Sequence, residues 1–181
     1  MYMHNKEILV FDFETSGFSA QKDRPIQLSL MQIKNFKEIF RFSSYIYQDI
    51  ILSEEITKLT GISQKTLMSA PKESSLINKV APLFDNVSII CGHNVTFDIR
   101  FLEALFKRHR LVFNKDQYQI IDTMKLAKKY ISKSIVNNYK LEYLTQKFNL
   151  NAGLSAHNAM DDVIATARLL WFIQEKVINN T

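Results

Sequence analysis

Two acidic residues, Asp12 and Glu14, stand near the end of a short apolar stretch that begins at Ile8. Alternate residues of a strand point to the same face, so these two carboxylates would lie side by side while Phe11 and Phe13 point to the other face. Neighbouring carboxylates repel each other, and a buried strand bears that cost only where positive charge compensates it. Oxygen-rich sites of this kind suit Mg²⁺ or Mn²⁺. A solvated strand end is the alternative, and the pair taken alone favours it.

A second polar segment follows the apolar residues 89–91. Asn94 and Asp98 are four residues apart, so they share a face if a helix begins near Asn94. Asp98 would then lie just beyond the end of a strand, where the ligand sites of open α/β sheets tend to form. An acid in a first helical turn also favours the helix dipole, and on this segment alone that explanation of Asp98 is equally good.

A third segment contains His157 and, five residues later, Asp162. Residues five apart on an ideal helix differ by roughly 140°, so we expect His157 in the loop before a helix and Asp162 on its second turn. Small side chains at Ala159 and Ala165 leave room around the Asp162 carboxylate. Asp161 is expected to be an exposed acid near the helix N-terminus. A polar surface histidine is the alternative for His157.

The hydrophobic pattern predicts three strands followed by alternating helices and strands. The first strand carries Asp12 and Glu14, and strands over 26–33 and 38–47 would complete an antiparallel meander. Buried strands are predicted over 87–91 and near 120–121. Ser53 and Gly61 are expected to cap a short helix. Further helices are predicted over about 76–84, 96–109, 124–127, 141–148 and 158–177, and this order indicates a mixed α/β sheet in one domain over residues 1–181.

Composition narrows the class of protein. A chain of 181 residues with 46% hydrophobic residues and few glycines and prolines is typical of one globular domain. The net charge of +5 makes polyanions plausible partners. The single cysteine, Cys91, excludes an internal disulfide and is expected to be buried. No apolar stretch approaches the roughly 18 residues of a membrane span, so a membrane is not expected as a partner and we expect a location in the cytoplasm.

Together the three segments resemble the exonuclease motifs of the DEDD family, in its histidine-containing DEDDh branch. The motifs are Phe11–Thr15, His93-Asn94 with Phe97-Asp98, and His157 with Asp162, and the resemblance extends over residues 8–170. Three landmarks also match, at residues 59–62, 121–123 and 139–141. The resemblance implies a ribonuclease H-like fold, with a five-stranded mixed sheet, an antiparallel meander followed by parallel strands, flanked by helices.

The resemblance also implies roles for individual residues. Two divalent ions, Mg²⁺ or Mn²⁺, would be held by four acids, and His157 would be the general base for the attacking water. The four acids are Asp12, Glu14, Asp98 and Asp162. Substrate contacts are expected at Thr15 near the terminal sugar, at Phe18 and Ile62 against the last bases, and at Asn94 beside the acids.

The expected function is 3′→5′ hydrolysis of DNA, of the proofreading or repair type, with release of nucleoside 5′-monophosphates. The partner would be a nucleic acid with a free 3′ end, single-stranded or frayed, and a DNA polymerase is a candidate partner. One alternative is an exonuclease for RNA or short oligonucleotides. Another is a silent module that binds nucleic acid or a polymerase, but such a module should have lost acids. Phosphate contacts are expected from Lys125, Lys128, Lys129 and Lys133, whereas the basic cluster 107–110 fits a helix end.

Overall fold

A five-stranded mixed sheet forms the centre of the computed structural model, which describes residues 6–155 and 158–178. The sheet order is β3-β2-β1-β4-β5. Its strands are β1 (Glu7–Thr15), β2 (Pro25–Lys34), β3 (Lys37–Tyr45), β4 (Ile89–Gly92) and β5 (Gln119–Asp122). β1, β2 and β3 pair antiparallel, while β1 pairs parallel with β4 and β4 with β5. The predicted meander followed by parallel strands is confirmed.

Seven α-helices flank the sheet among the described residues. They are α1 (Glu54–Thr60), α2 (Gln64–Met68), α3 (Glu73–Asp85), α4 (Thr96–Arg108), α5 (Thr123–Tyr130), α6 (Leu141–Lys147) and α7 (Ala159–Phe172). A 3₁₀ turn covers Lys115–Gln117, and a π-helical segment, Ile173–Ile178, continues α7. None of these helices has the length and apolar character needed to cross a membrane.

Several local expectations are confirmed and others need correction. The Ser53 side chain accepts from the backbone of Ile56, and Gly61 ends α1 with φ of +70°. The third strand ends at Tyr45 instead of residue 47, because Ile46 turns into the core and its N–H bonds to Ile26. Helix α2 was not predicted, since five residues are too few for a periodic pattern.

The two faces of β1 pack against different helices. Phe11 and Phe13 belong to a core cluster that includes Phe84 of α3 and Phe101 of α4. Ile8 and Val10 belong to a second cluster, with Val163, Ala167 and Leu170 of α7. Because side chains alternate along a strand, Asp12 and Glu14 continue the row of Ile8 and Val10 on the face that α7 covers. The packing of α7 on β1 therefore decides which residues meet the two acids.

Candidate active site

Three of the four predicted metal ligands meet between β1 and α7. Oxygen atoms from the carboxylates of Asp12, Glu14 and Asp162 all lie within 4.8 Å of one another, and the three side chains are half-buried. Ala159 and Ala165, on the turns of α7 before and after Asp162, are buried and small. Their size lets the helix approach the strand closely, as the sequence predicted.

The fourth acid, Asp98, reaches the same end of β1 from α4. Its Oδ1 accepts a hydrogen bond of 3.1 Å from the backbone N–H of Phe13, and the residue is 3% exposed. The parallel pairing of β1 with β4 stops at Val10–Cys91, so β4 offers no acceptor this far along β1. Asp98 takes the place of that missing strand partner. A surface acid that only favours the helix dipole would be neither buried nor bonded to β1.

Three of the four carboxylates, those of Asp12, Glu14 and Asp98, have raised pKa values. Burial is the largest cause for Asp12, whose pKa lies well above its usual range, and the charges of Asp98, Asp162 and Glu14 raise it further. Burial and the charge of Asp162 raise the pKa of Glu14 to about 7. Burial raises the pKa of Asp98 to about 8, although the bond from Phe13 opposes that shift. Among the described residues, no ion pair joins Asp12, Glu14 or Asp98 to a basic side chain.

This donor set fits divalent metal ions. It consists of carboxylate oxygens, which are the ligands that Mg²⁺ and Mn²⁺ prefer. Buried acids such as Asp12 and Asp98 are costly to ionise close to one another, and a divalent cation removes that cost. The residues present could therefore hold the metal that the sequence implies.

The turn that leads into α4 is fixed by Asp122, whose role the sequence reasoning missed. Asn94 has φ of +59°, and its N–H donates to Asp122 Oδ1 at 3.1 Å. The same oxygen accepts from the N–H groups of Met124 and Lys125, so Asp122 also caps α5. In the sequence Asp122 belongs to one of the family landmarks. An Asp directly after two isoleucines also carries the signal of a helix N-cap at a strand end.

His93 ties this turn to the loop before α6. Its Nε2 lies 2.9 Å from the carbonyl oxygen of Tyr139, which can only accept, so Nε2 carries the proton. Its Nδ1 lies 2.9 Å from Thr123 Oγ1. Burial lowers the pKa of His93, and in the neutral ring Nδ1 accepts from the Thr123 hydroxyl. His93 thus has a structural role, because both of its ring nitrogens form hydrogen bonds within the protein.

The predicted substrate contacts fall into two groups. Phe18 is 80% exposed and its ring packs edge-on against Phe97 at 6.5 Å between centroids, and Asn94 is also exposed. Thr15 is buried, and its hydroxyl donates to the carbonyl of Gly17 at 2.6 Å. Ile62 is only 2% exposed and packs in a small core cluster with Ile26, Leu52, Ile56 and Leu67. The structure corrects the expectation for Ile62, because a buried side chain offers no surface to a base.

The segment before α7 is described only in part. His157, the expected general base, lies outside the described residues. Asn158, which follows it in the sequence, is the N-cap residue of α7 and accepts from Met160 and Asp161. Asp161 is half-buried and accepts from the backbone of Ser155 at 3.0 Å, so it fastens the loop before α7 instead of being a free surface acid.

The basic residues that the sequence analysis considered fall into two groups, a cluster at the end of α4 and a set of candidate phosphate contacts on or after α5. At the end of α4, Arg108 donates from Nε to Glu73 at 2.7 Å, so this cluster has a structural partner as well as a favourable dipole. Lys125, Lys128, Lys129 and Lys133 are all exposed on or just after α5.

Solved structures share this fold. A zinc-bound complex of Escherichia coli exonuclease I with single-stranded DNA superposes with a TM-score of 0.81 at 22% identity, over 97% of this chain and 42% of that one. Exonuclease I from Methylocaldum szegediense gives a TM-score of 0.78 at 21% identity.

Relatives by sequence are DNA polymerases of the III PolC type. The one from Caldanaerobacter subterraneus is 32% identical over 174 residues, and the one from Pediococcus pentosaceus is 33% identical over 163 residues. These alignments cover 94% and 90% of this chain but only 12% and 11% of the polymerases, so the chain spans about an eighth of their length. A family model described as exonuclease, RNase_T, matches residues 9–170. With the four acids assembled and the family model matching nearly the whole chain, the protein belongs to this exonuclease family, in its DEDDh branch.

Proposed function

We propose that this chain is a divalent-metal-dependent 3′→5′ exonuclease that hydrolyses DNA from a free 3′ end and releases nucleoside 5′-monophosphates. The observation that supports it most is the convergence of four acids from three elements on one end of β1. A silent binding module is a poorer explanation, because such a module has no use for mutually repelling acids.

The chain's own residues would prepare the site in two ways. Asp12, Glu14, Asp98 and Asp162 would hold two Mg²⁺ or Mn²⁺ ions, and the buried rings of Phe11 and Phe13 keep the strand that carries two of these acids in place. When bound, such ions lower the pKa of water and place positive charge opposite the scissile phosphate.

His157 is proposed as the general base. An imidazole with a pKa near 6.5 can accept a proton from the attacking water at neutral pH. In the sequence it directly precedes Asn158, the N-cap of the helix that bears Asp162. Replacement of His157 by Ala should slow hydrolysis more than it weakens metal binding, and an unchanged pH–rate profile would remove His157 from this role.

The proposed substrate is a single-stranded or frayed 3′ end of DNA. Exposed Phe18, packed against Phe97, offers an apolar surface to a terminal base, and Asn94 and the backbone near Thr15 lie at the same end of the sheet. The related chains support DNA over RNA, because they are named as DNA polymerases and as an exonuclease bound to single-stranded DNA. Proofreading beside a DNA polymerase in the cytoplasm is the biological role we infer.

A panel of labelled oligonucleotides tests this proposal. Single-stranded DNA, duplex DNA with a mispaired 3′ end, fully paired duplex and RNA of the same sequence, each 5′-labelled, are incubated with Mg²⁺ or Mn²⁺. We expect ladders that shorten from the 3′ end, fastest on the single-stranded and mispaired DNA. Faster degradation of RNA would overturn the DNA assignment. Absence of degradation of every substrate by the intact protein would overturn the enzyme itself.

A further inference from the structure

A large open groove lies between the second half of α5 and the segment that leads to α6. Its volume is about 1110 Å³, slightly above the range of small-molecule pockets, about 300–1,000 Å³. Four lysines line it, Lys128, Lys129, Lys133 and Lys140, and no Asp or Glu is among the lining residues. We call this surface the lysine groove.

Within residues 6–155 and 158–178, none of the four lysines forms an ion pair with a carboxylate. Ion pairs elsewhere among the described residues join Lys34 to Glu7, Lys58 to Glu54 and Lys115 to Glu103. None involves a lysine of the groove, and the ammonium group of Lys129 lies instead 5.0 Å from the centre of the Tyr130 ring. Four like charges around one groove repel each other and do not stabilise the fold, so they indicate an external anion.

The remaining lining residues suit a polynucleotide strand better than a compact anion. Tyr130 and Tyr139 supply aromatic rings, and Ser132, Asn137 and Asn138 supply hydroxyl and amide groups. The wall is held in shape by the Tyr139 hydroxyl, which donates to the carbonyl of Ile131 at 2.7 Å. Spread positive charge combined with aromatic and amide side chains is typical of surfaces that follow a single-stranded backbone.

The lysine groove adjoins the segment that carries the active-site motif. The carbonyl of Tyr139, in the groove wall, accepts from His93 at 2.9 Å. Asn94, which directly follows His93 in the chain, is exposed and comes four residues before Asp98. Helix α5, which carries Lys128, begins at Thr123, and the Thr123 hydroxyl oxygen lies 2.9 Å from Nδ1 of His93. The lysine groove is therefore joined, through the contact between His93 and Tyr139, to the turn that leads to Asp98.

We propose that the lysine groove binds the phosphodiester backbone of single-stranded DNA upstream of the 3′-terminal nucleotide. This proposal rests on the proposed function, because it assumes that a 3′ end occupies the acidic site. It adds Lys140 to the lysines that the sequence suggested. It also predicts that the enzyme cleaves longer strands more efficiently than dinucleotides, and that this difference comes from the groove.

Binding can be measured without any hydrolysis. Fluorescence anisotropy with a labelled twelve-nucleotide oligothymidylate in EDTA compares the wild type with the triple variant Lys128→Ala/Lys133→Ala/Lys140→Ala. We expect the variant to bind at least tenfold more weakly. The slope of the logarithm of the association constant against the logarithm of the salt concentration should be smaller in magnitude by about 2, because three phosphate contacts are lost and each contributes about 0.7 on a single strand. The matched control is Lys37→Ala/Lys72→Ala/Lys79→Ala, which removes the same charge from three other exposed lysines.

Hydrolysis with metal gives the second readout. The ratio of kcat/KM for the twelve-nucleotide strand to that for a dinucleotide should fall at least tenfold in the groove variant and stay at the wild-type value in the control. Replacement of the three groove lysines by Arg should restore both binding and ratio. The proposal would be overturned if the wild type and the groove variant bound DNA equally well. It would also be overturned if the groove variant and the control lost the same amount of affinity. If the proposed function is wrong, the wild-type protein should cleave neither substrate. The anisotropy comparison would still test whether the groove binds DNA.

Discussion

The backbone N–H of Phe13 donates to Oδ1 of Asp98 across 3.1 Å, although the two residues are 85 positions apart in the chain. This bond joins the strand that carries the first two acids to the helix that carries the third. It also satisfies a backbone donor that the short strand β4 does not reach. One side chain is thus both part of the acidic site and a structural link that positions it.

The double role of Asp98 can be separated by two substitutions. Asp98→Asn keeps an oxygen that can accept from Phe13, whereas Asp98→Ala leaves that donor unsatisfied. We expect both variants to lose hydrolysis, with the Asn variant more stable than the Ala variant by about 1 kcal/mol. Urea unfolding in EDTA together with the oligonucleotide assay measures both. Equal stabilities would show that the bond to Phe13 contributes nothing to the fold.

The metal-free protein should lose stability as the pH rises. The pKa of Glu14 is raised to about 7 and that of Asp98 to about 8, so in the folded state these groups keep protons that the unfolded chain releases near pH 4 to 4.5. The unfolded state therefore binds fewer protons in this window, and the free energy of unfolding falls between about pH 4.5 and 8. Thermal unfolding in EDTA should show this decline, and excess Mg²⁺ should reduce it. A midpoint that rises over the same range without metal would contradict the shared acidic site.

Asp122 should matter for stability and for the geometry of the turn before α4. Asp122→Ala removes one oxygen that accepts from three backbone N–H groups, at Asn94, Met124 and Lys125. We expect a loss of about 2–3 kcal/mol in the free energy of unfolding and slower hydrolysis. Lys125→Ala is the control, because its ammonium group is exposed and lies 4.0 Å from Asp122. That variant should change stability by less than about 0.5 kcal/mol, and a similar loss in both would refute the assignment to the turn.

Substitutions of Phe18 and Ile62 should have different effects, although the sequence suggested the same role for both residues. Phe18→Ala removes an exposed ring and should raise KM about tenfold with little change in stability. Ile62→Ala empties a buried position and should cost about 2–4 kcal/mol of stability. Steady-state kinetics and urea unfolding of the two variants check this contrast. A stable Ile62→Ala protein with a raised KM would reinstate Ile62 as a substrate contact.

Much of this arrangement could be predicted from local sequence. Strand alternation correctly placed Asp12 and Glu14 on one face, and the buried Phe11 and Phe13 on the other. Small residues around Asp162 predicted close packing of α7. These features depend on spacings of two to four residues, which a sequence shows directly.

Other features depend on contacts between distant segments. The residues around Asp98 in the sequence do not predict its hydrogen bond to Phe13. The roles of Asp122 and Tyr139 depend on which loops contact each other in the folded chain. The burial of Ile62 was missed for the same reason, because an isoleucine after a helix cap fits a core or a surface equally well. Long-range packing, not local preference, decides these positions.

The most direct test of the acidic site is the Asp12→Ala protein assayed for release of mononucleotide from a 3′-labelled DNA strand, with and without Mg²⁺. Asp12 is a proposed metal ligand, so its removal should abolish hydrolysis. Because burial and the other three acids make the charged form of Asp12 costly, the metal-free variant should be at least as stable as the wild type. Wild-type protein should require the metal. Full metal-dependent activity in a well-purified, folded Asp12→Ala protein would contradict the account.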